Sequence, residues 1–345
     1  MKKDKYETLN NSIKFYLRRI LKGKVKDNHL LDLCNMEMDY LYNKKILFII
    51  NNLLLFKNQY NEVNFKYNGS INNFQLLYEL GLNIINPLEY NLNYELYNDK
   101  ILDIGFINCS YKDFIEYVET YNKEFNLLRF SSKDHDVKDK KYINSHFIVL
   151  PKDSMNNLTL VKGKDNRYEV LEDYHMLEDD YIILTLHDIK PLNKSNIISI
   201  DNAIITKEQK ELKNILKPVT FEDYIKVLNI SYGNRVWNDI QKDLFMNHKI
   251  IINNLITCKE DVFDYLIKHK IDRDKAIEIT NFIGTGKYQG DFLEEWLKYR
   301  KIMDKNHCDL WFYKICSEIR WLPSRGRAIS DCLYALDKNN YKEIV

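Results

Sequence analysis

The segment Ile101-Leu102-Asp103-Ile104-Gly105-Phe106 is an apolar run that carries one carboxylate. On a β-strand residues i and i+2 face the same side, so two carboxylates at that spacing can share two Mg²⁺ ions and hold a nucleoside triphosphate for phosphoryl transfer. Two residues after Asp103 stands Gly105, which has no side chain to hold metal. Farther along, Thr185-Leu-His-Asp188 brings His187 and Asp188 to the end of a second apolar run. A third element is Asn68-Gly69-Ser70. A helix opening from a glycine turn presents free backbone N–H groups to phosphate, and here Ser70 reads as the N-cap and Gly81 as the C′ residue of a helix over 71–80.

Cations form the other candidate chemistry. Net charge is +1, yet residues 1–27 carry nine Lys/Arg against three Asp/Glu and residues 296–327 carry eight against three. Basic stretches interleaved with aromatic residues suit a nucleic acid, the cations meeting phosphates and the rings stacking on bases. Arg18, Arg19 and Lys22 lie on one such stretch; Arg320, Arg325 and Arg327 surround a Ser-Arg-Gly-Arg turn on the other, and Lys287 follows Gly284-Thr-Gly286. Solvated helix faces would give the same composition. Trp237, Trp311 and Trp321 read as core anchors rather than stacking platforms.

These residues need elements to position them. Ile13, Tyr16, Leu17, Ile20 and Leu21 recur at helical spacing with basic residues on the other faces, giving a basic amphipathic helix followed by a second one and a further helical stretch over 37–60. The middle third alternates strand and helix: a strand over 101–106, a helix over 111–125 capped by Ser110, and short β-branched strands at 146–150 and 181–186. After a linker over 190–217 the pattern stays helical, with capping boxes at Thr220-Phe-Glu-Asp223 and Thr257-Cys-Lys-Glu260 and an N-cap at Asp272. The expected organisation is a basic segment 1–27, an α+β domain 28–195 and a helical domain 218–345.

With 345 residues, 45% hydrophobic and 29% charged, the chain is long enough for two cores. The run Ile46–Phe56 is interrupted by Asn51 and Asn52 and is shorter than the roughly 20 residues of a membrane helix, so a cytoplasmic protein without membrane contact is expected. Six scattered cysteines read as reduced, buried thiols. His307-Cys308 and Asp134-His135-Asp136 read as solvated loop residues, and no structural metal is assigned.

The order of motifs resembles the palm and fingers of PolC-type DNA polymerase III alpha subunits, over roughly residues 28–340. The likeness is carried by Thr220-Phe-Glu-Asp through Ile230-Ser-Tyr-Gly-Asn-Arg-Val-Trp237, by Cys258-Lys-Glu-Asp-Val-Phe-Asp-Tyr-Leu-Ile267, by Gly284-Thr-Gly-Lys287 and by Cys316-Ser-Glu-Ile-Arg-Trp-Leu-Pro323. Gly69-Ser70, Ile85-Asn-Pro-Leu88, Asp103-Ile-Gly-Phe106 and Thr185-Leu-His-Asp188 follow the palm in the same order. The resemblance implies a small nucleotidyltransferase palm with a mixed sheet, a triphosphate cradle at Gly69 and Ser70, and a helical fingers-like domain.

It also implies that the second metal aspartate has become Gly105 and the third has become His187, with Asp188 one residue away. The cradle lacks an arginine and a second glycine, the stretch 187–220 is short, and no zinc insert stands between Leu88 and Asp103. The leading expectation is a pseudo-polymerase without cofactor that keeps a vestigial Asp103 and binds DNA, a replication protein or a polymerase subunit; its reduced form suits a mobile element or phage. One alternative is a minimal Mg²⁺-dependent nucleotidyltransferase using Asp103, Asp188 and another acid such as Asp99. The other is a protein-interaction module unrelated to nucleic acid.

Overall fold

The computed structural model describes residues 2–99, 101–121, 125–130, 146–151, 158–162, 168–171, 177, 181–191, 199–286, 292–336 and 341–343. The fold is α+β, a mixed sheet with helices followed by a helical region. The chain divides into one unit of residues 1–88, 99–192 and 341–345 and a second of 89–98 and 193–340.

In the first unit, α1 (Lys2–Lys24) buries Ile13, Leu17 and Leu21 at helical spacing. α2 (Asn28–Asn43) starts where the Asp27 carboxylate accepts the N–H groups of His29 and Leu30. α3 (Leu47–Gln59) is apolar on nearly every side and almost wholly buried, as a helix between two layers must be. The single helix expected after Ser70 is instead a short 3-10 turn over Ser70–Asn73 and a separate α4 (Gln75–Glu79), divided at Phe74, whose ψ of 116° is extended. α5 (Tyr111–Tyr121) stops short of the expected residue 125 because Phe125–Phe130 forms a strand.

The strands are β1 (Asn64–Asn68), β2 (Ile101–Ile107), β3 (Phe125–Phe130), β4 (His146–Pro151), β5 (Leu160–Lys162), β6 (Tyr168–Val170), β7 (Ile182–Pro191) and β8 (Tyr341–Glu343). They form one sheet in the order β1-β2-β7-β4-β3-β6-β5, with β8 on β7. β2 runs parallel to β7 and β3 to β6; the other pairs are antiparallel. One face of β1 and β2 meets α3 and α5 through Phe65, Phe106, Phe56 and Phe114, with Phe106 5.3 Å from Phe114 and 5.4 Å from Phe65 between ring centroids. Side chains alternate along a strand, so burying Phe106 on the helices puts Asp103 and Gly105 on the opposite face.

The second unit contains α6 (Lys207–Leu216), a helix within the expected linker, set by a capping box of Thr206 and Gln209. α7 (Phe221–Tyr232) opens with the capping box expected at Thr220 and Asp223. Then come α8 (Asp239–Met246), α9 (Lys259–Lys268), α10 (Arg273–Thr285), α11 (Leu293–Lys305), α12 (Leu310–Glu318) and α13 (Arg325–Leu336). The box expected at Thr257 and Glu260 falls one residue later, on Cys258 and Asp261. Residues 89–98 join this unit through the ion pair of Glu95 with Arg273 and the rings of Tyr90 and Phe221, 5.9 Å apart. Trp296 is the buried tryptophan here; Trp321, expected as a core anchor, is 41% exposed.

Candidate functional site

The register of β2 on β7 pairs Asp103 with Thr185, Gly105 with His187 and Phe106 with Asp188. On the other side β1 pairs Lys66 with Gly105 and Asn68 with Asp103. Asp103, Gly105, Lys66, Asn68, Thr185, His187 and Ile189 therefore share one face of the sheet. His187 Nδ1 lies 3.2 Å from Asp103 Oδ1, a close polar contact that is not aligned as a hydrogen bond. The space a side chain at 105 would enter is filled: a Cβ there would lie 2.3 Å from Ile189 Cδ1 and 3.0 Å from His187 Nε2.

Asp188 belongs to the opposite face. Its carboxylate accepts the N–H of Tyr111 at 2.7 Å and the hydroxyl of Ser110 at 3.1 Å, so it caps the start of α5. Asp103 and Asp188 thus cannot hold one ion between them, and the pairing that the Mg²⁺-dependent alternative needs is not formed. Next to Asp103 and Gly105 that face carries His187 and a buried lysine, Lys66. Mg²⁺ takes hard oxygen ligands in octahedral geometry, and two such ions require several carboxylates. The residues present do not fit that pair of ions. Among the described residues no three His, Cys, Asp or Glu side chains gather to hold a metal; residues 134–136 lie outside the described ones.

At the expected phosphate cradle, Gly69 has φ 111°, a conformation that favours glycine, and Ser70 follows it without acting as a side-chain cap. The Ser70 N–H donates to Asp99 Oδ2 at 2.6 Å. A Cβ at Gly69 would lie 2.5 Å from that same oxygen, so glycine is required twice, for its backbone angle and for the approach of Asp99. The chain's own carboxylate stands where a phosphate oxygen is expected. The first turn of α4 is likewise satisfied from far away: Glu37 on α2 accepts the N–H groups of Gln75 and Leu76 at 3.1 and 2.6 Å. Burial pushes the Glu37 carboxyl up to about 8, against the pull of those two hydrogen bonds.

The candidate cations divide into tied and exposed ones. Arg18 reaches Asn35 at 3.2 Å and Asp39 at 3.5 Å on α2, whereas Arg19 and Lys22 on the same helix are exposed. Arg325 begins α13 instead of occupying a turn, and its guanidinium binds Asp261 at 3.1 Å and Asp264 at 3.0 Å. Lys226 meets the same Asp261 at 2.6 Å, and Thr257 adds its N–H at 2.7 Å and its hydroxyl at 2.6 Å. Burial pushes the Asp261 carboxyl up, but Lys226, Arg325 and the hydrogen bonds outweigh it and hold it well below the usual carboxylate range. Arg327 lies 4.4 Å over the ring of Tyr232. The half-buried Arg320 donates its N–H to the Asn234 carbonyl at 2.9 Å. Lys287 lies outside the described residues.

No established protein-family profile matches the chain. It is 26% identical over 131 residues to a PolC-type DNA polymerase III of Bacillus cereus, taking in 38% of this chain and 9% of that protein. The corresponding protein of Lactococcus lactis is 26% identical over 120 residues, 35% of this chain and 7% of that one, and that of Bacillus subtilis 24% identical over 131 residues, 38% and 9%. This chain is related to DNA polymerase III. It spans less than a tenth of the length of these PolC-type relatives. Lys66 and Ile189 are neighbours of Gly105 that the strand's own sequence does not reveal. Their signal lies in register alone: Ile189 is two residues beyond His187 on the same face, and Lys66 is opposite Gly105. Among the described residues no helix is long and apolar enough to cross a membrane. Five cysteines are buried and Cys109 is half-buried; burial pushes the Cys34 and Cys109 thiols up to about 12, which suits packing rather than nucleophilic chemistry.

Proposed function

We propose that this protein is a polymerase III-related pseudo-polymerase that binds DNA without extending it. One observation carries the reading: the β2–β7 register that sets Ile189 and His187 into the space beside Gly105 and turns Asp188 to the other face. A palm that transfers nucleotides needs carboxylates gathered on one face to support both ions, and here Gly105 and His187 are the neighbours of Asp103 on that face. Asp99 in the glycine turn supports the same reading, because an incoming phosphate would have to displace an internal carboxylate that already holds the Ser70 N–H. The exposed Arg19 and Lys22, in a segment rich in cations, supply the phosphate-binding charge.

The test pairs primer extension in Mg²⁺ and in Mn²⁺ with a DNA mobility shift on the same preparation. The expected result is a shifted DNA band and no extension in either metal. Extension that disappears in Asp103→Ala would replace this proposal with the active nucleotidyltransferase, and a protein that neither extends nor shifts DNA would leave a replication protein or another protein partner as its ligand.

A further inference from the structure

The helical unit contains a cleft of about 670 Å³ for which the polymerase-derived reading has no use. Its walls come from α7, α9, the segment 253–257, the starts of α12 and α13, and Glu89-Tyr90-Asn91 of the same unit. At the floor the charges compensate: Lys226 and Arg325 are matched by Asp261 and Asp264. Around the rest stand Glu89, Glu222 and Asp309 against Lys268. Carboxylates thus outnumber lysines and arginines in the lining by two, which disfavours an anionic ligand.

Two further features describe what would fit. Asn229 lines the cleft from α7, is 0% exposed, and has neither its amide oxygen nor its amide nitrogen in a hydrogen bond. A buried amide unpaired at both ends is costly, and buried polar groups ordinarily find partners in the protein, in water or in a ligand. Nearby walls are aromatic: Tyr265 is stacked between His269 at 4.4 Å and Phe312 at 3.8 Å, which cover its faces, and meets the edge of Trp311, another lining residue, at 5.6 Å between ring centroids.

We propose that this cleft binds an uncharged purine nucleoside. An asparagine amide offers a donor and an acceptor side by side, the complement of the amino group and ring nitrogen along a purine edge. The Trp311 ring in the lining gives a heterocycle a flat surface to stack on. Carboxylates such as Glu222 accept hydrogen bonds from ribose hydroxyls, as acidic residues do in dinucleotide sites. The same carboxylates discriminate against a phosphorylated ligand, so the ligand differs in charge from a nucleoside triphosphate. The proposal does not depend on the pseudo-polymerase reading, since every residue it uses lies in the helical unit.

The test titrates the full chain with adenosine, guanosine and their 5′-monophosphates, following tryptophan fluorescence and calorimetric heat. At least one nucleoside should bind with a Kd on the order of 1 mM or tighter, and its monophosphate about tenfold more weakly. Asn229→Leu should lose at least about tenfold in affinity while melting at an unchanged or higher temperature, because it removes an unpaired amide. Glu222→Gln, on the exposed rim, should fold as the parent does and narrow the gap between nucleoside and monophosphate. The proposal is overturned by a monophosphate that binds as tightly as the nucleoside, by Asn229→Leu that binds as the parent does, or by no saturable binding. A lowered melting temperature of Asn229→Leu without nucleoside binding by the parent would assign the amide to a buried water instead.

Discussion

Gly105→Asp restores in sequence the carboxylate pair that the strand lacks, and the structure gives reasons to expect that it restores nothing else. The new Cβ would lie 2.3 Å from Ile189 Cδ1, 2.8 Å from Ile189 Cγ1 and 3.0 Å from His187 Nε2, all closer than packed atoms stand. Ile189 is itself 5% exposed, so it cannot swing into solvent. Overpacking of this kind costs about 1–3 kcal/mol, and 2 kcal/mol in a domain of this size lowers Tm by roughly 4–8 °C. The substitution should therefore give a less stable protein that still fails to extend a primer in Mg²⁺ or Mn²⁺. The companion variant Gly105→Asp, His187→Asp, Ile189→Ala clears the obstruction and puts three carboxylates on one face, and calorimetry should detect Mn²⁺ binding there before any extension is seen. Extension by Gly105→Asp alone at an unchanged Tm would refute the reasoning, since it would mean that the space beside position 105 is open.

Four further outcomes follow from the same geometry. Asp261→Ala leaves Lys226 and Arg325 without their buried partner and should cost about 3–5 kcal/mol by chemical denaturation. Because the Asp261 carboxyl is held below its ordinary range, its contribution is present above that range and is lost as pH falls through and below it; the stability of Asp261→Ala should lose that acid dependence. Glu37 has the opposite sign: its folded value is raised to about 8, so its contribution is full below the ordinary carboxylate range and is lost as pH rises from there to about 8, and Glu37→Gln, which keeps an oxygen for Gln75 and Leu76, should remove that decline. Asp99→Ala should cost about 1–3 kcal/mol by leaving the Ser70 N–H without its carboxylate, read as a lower Tm with no gain in primer extension. Arg19→Glu with Lys22→Glu should weaken DNA retention in a salt-dependent way while stability stays within about 0.5 kcal/mol, whereas Arg325→Ala should lower Tm; unchanged DNA binding by the α1 pair would remove that helix from the interface.

What the sequence made legible is local. The strand expected at 101–106 and the capping boxes that start α7 and α6 depend on residues within a few positions of one another, although the Thr206-x-x-Gln209 signature is masked by a Lys-rich stretch where Leu212 and Leu216 alone supply buried apolar side chains. What stayed hidden is long-range. Glu37 caps a turn 38 residues away, Asp99 reaches back 29 and Asp188 reaches back 77. Ser324-Arg-Gly-Arg327 reads as a turn, but Glu260 accepts the Arg325 N–H at 2.8 Å and so supplies a cap for α13 from another helix. No propensity or spacing within Ser324-Arg-Gly-Arg327 could reveal that donor–acceptor pair.

Three sets of contacts around the sheet bear on the proposed loss of polymerase chemistry. Several positions that the resemblance would assign to substrate have structural tasks here: Ile189 and His187 pack against Gly105, Asp99 holds the Gly69–Ser70 turn, and Asp188 caps α5. Tasks of this kind are coupled to folding. Restoring one ligand therefore removes packing or a cap without assembling a site, and the stability lost in a single step is not offset by function gained. That asymmetry supports the pseudo-polymerase reading more strongly than the missing carboxylate does, because a merely vacant position could be refilled by one substitution while an occupied one resists it. It also separates the two fates of an acidic residue in this sheet: Asp188 and Asp99 have backbone N–H partners that account for their presence, whereas Asp103 has a histidine at 3.2 Å without an aligned hydrogen bond. If Asp103 only fills its place within β2, Asp103→Asn should leave both Tm and DNA retention unchanged, and a loss of DNA retention at constant Tm would assign that carboxylate a function of its own.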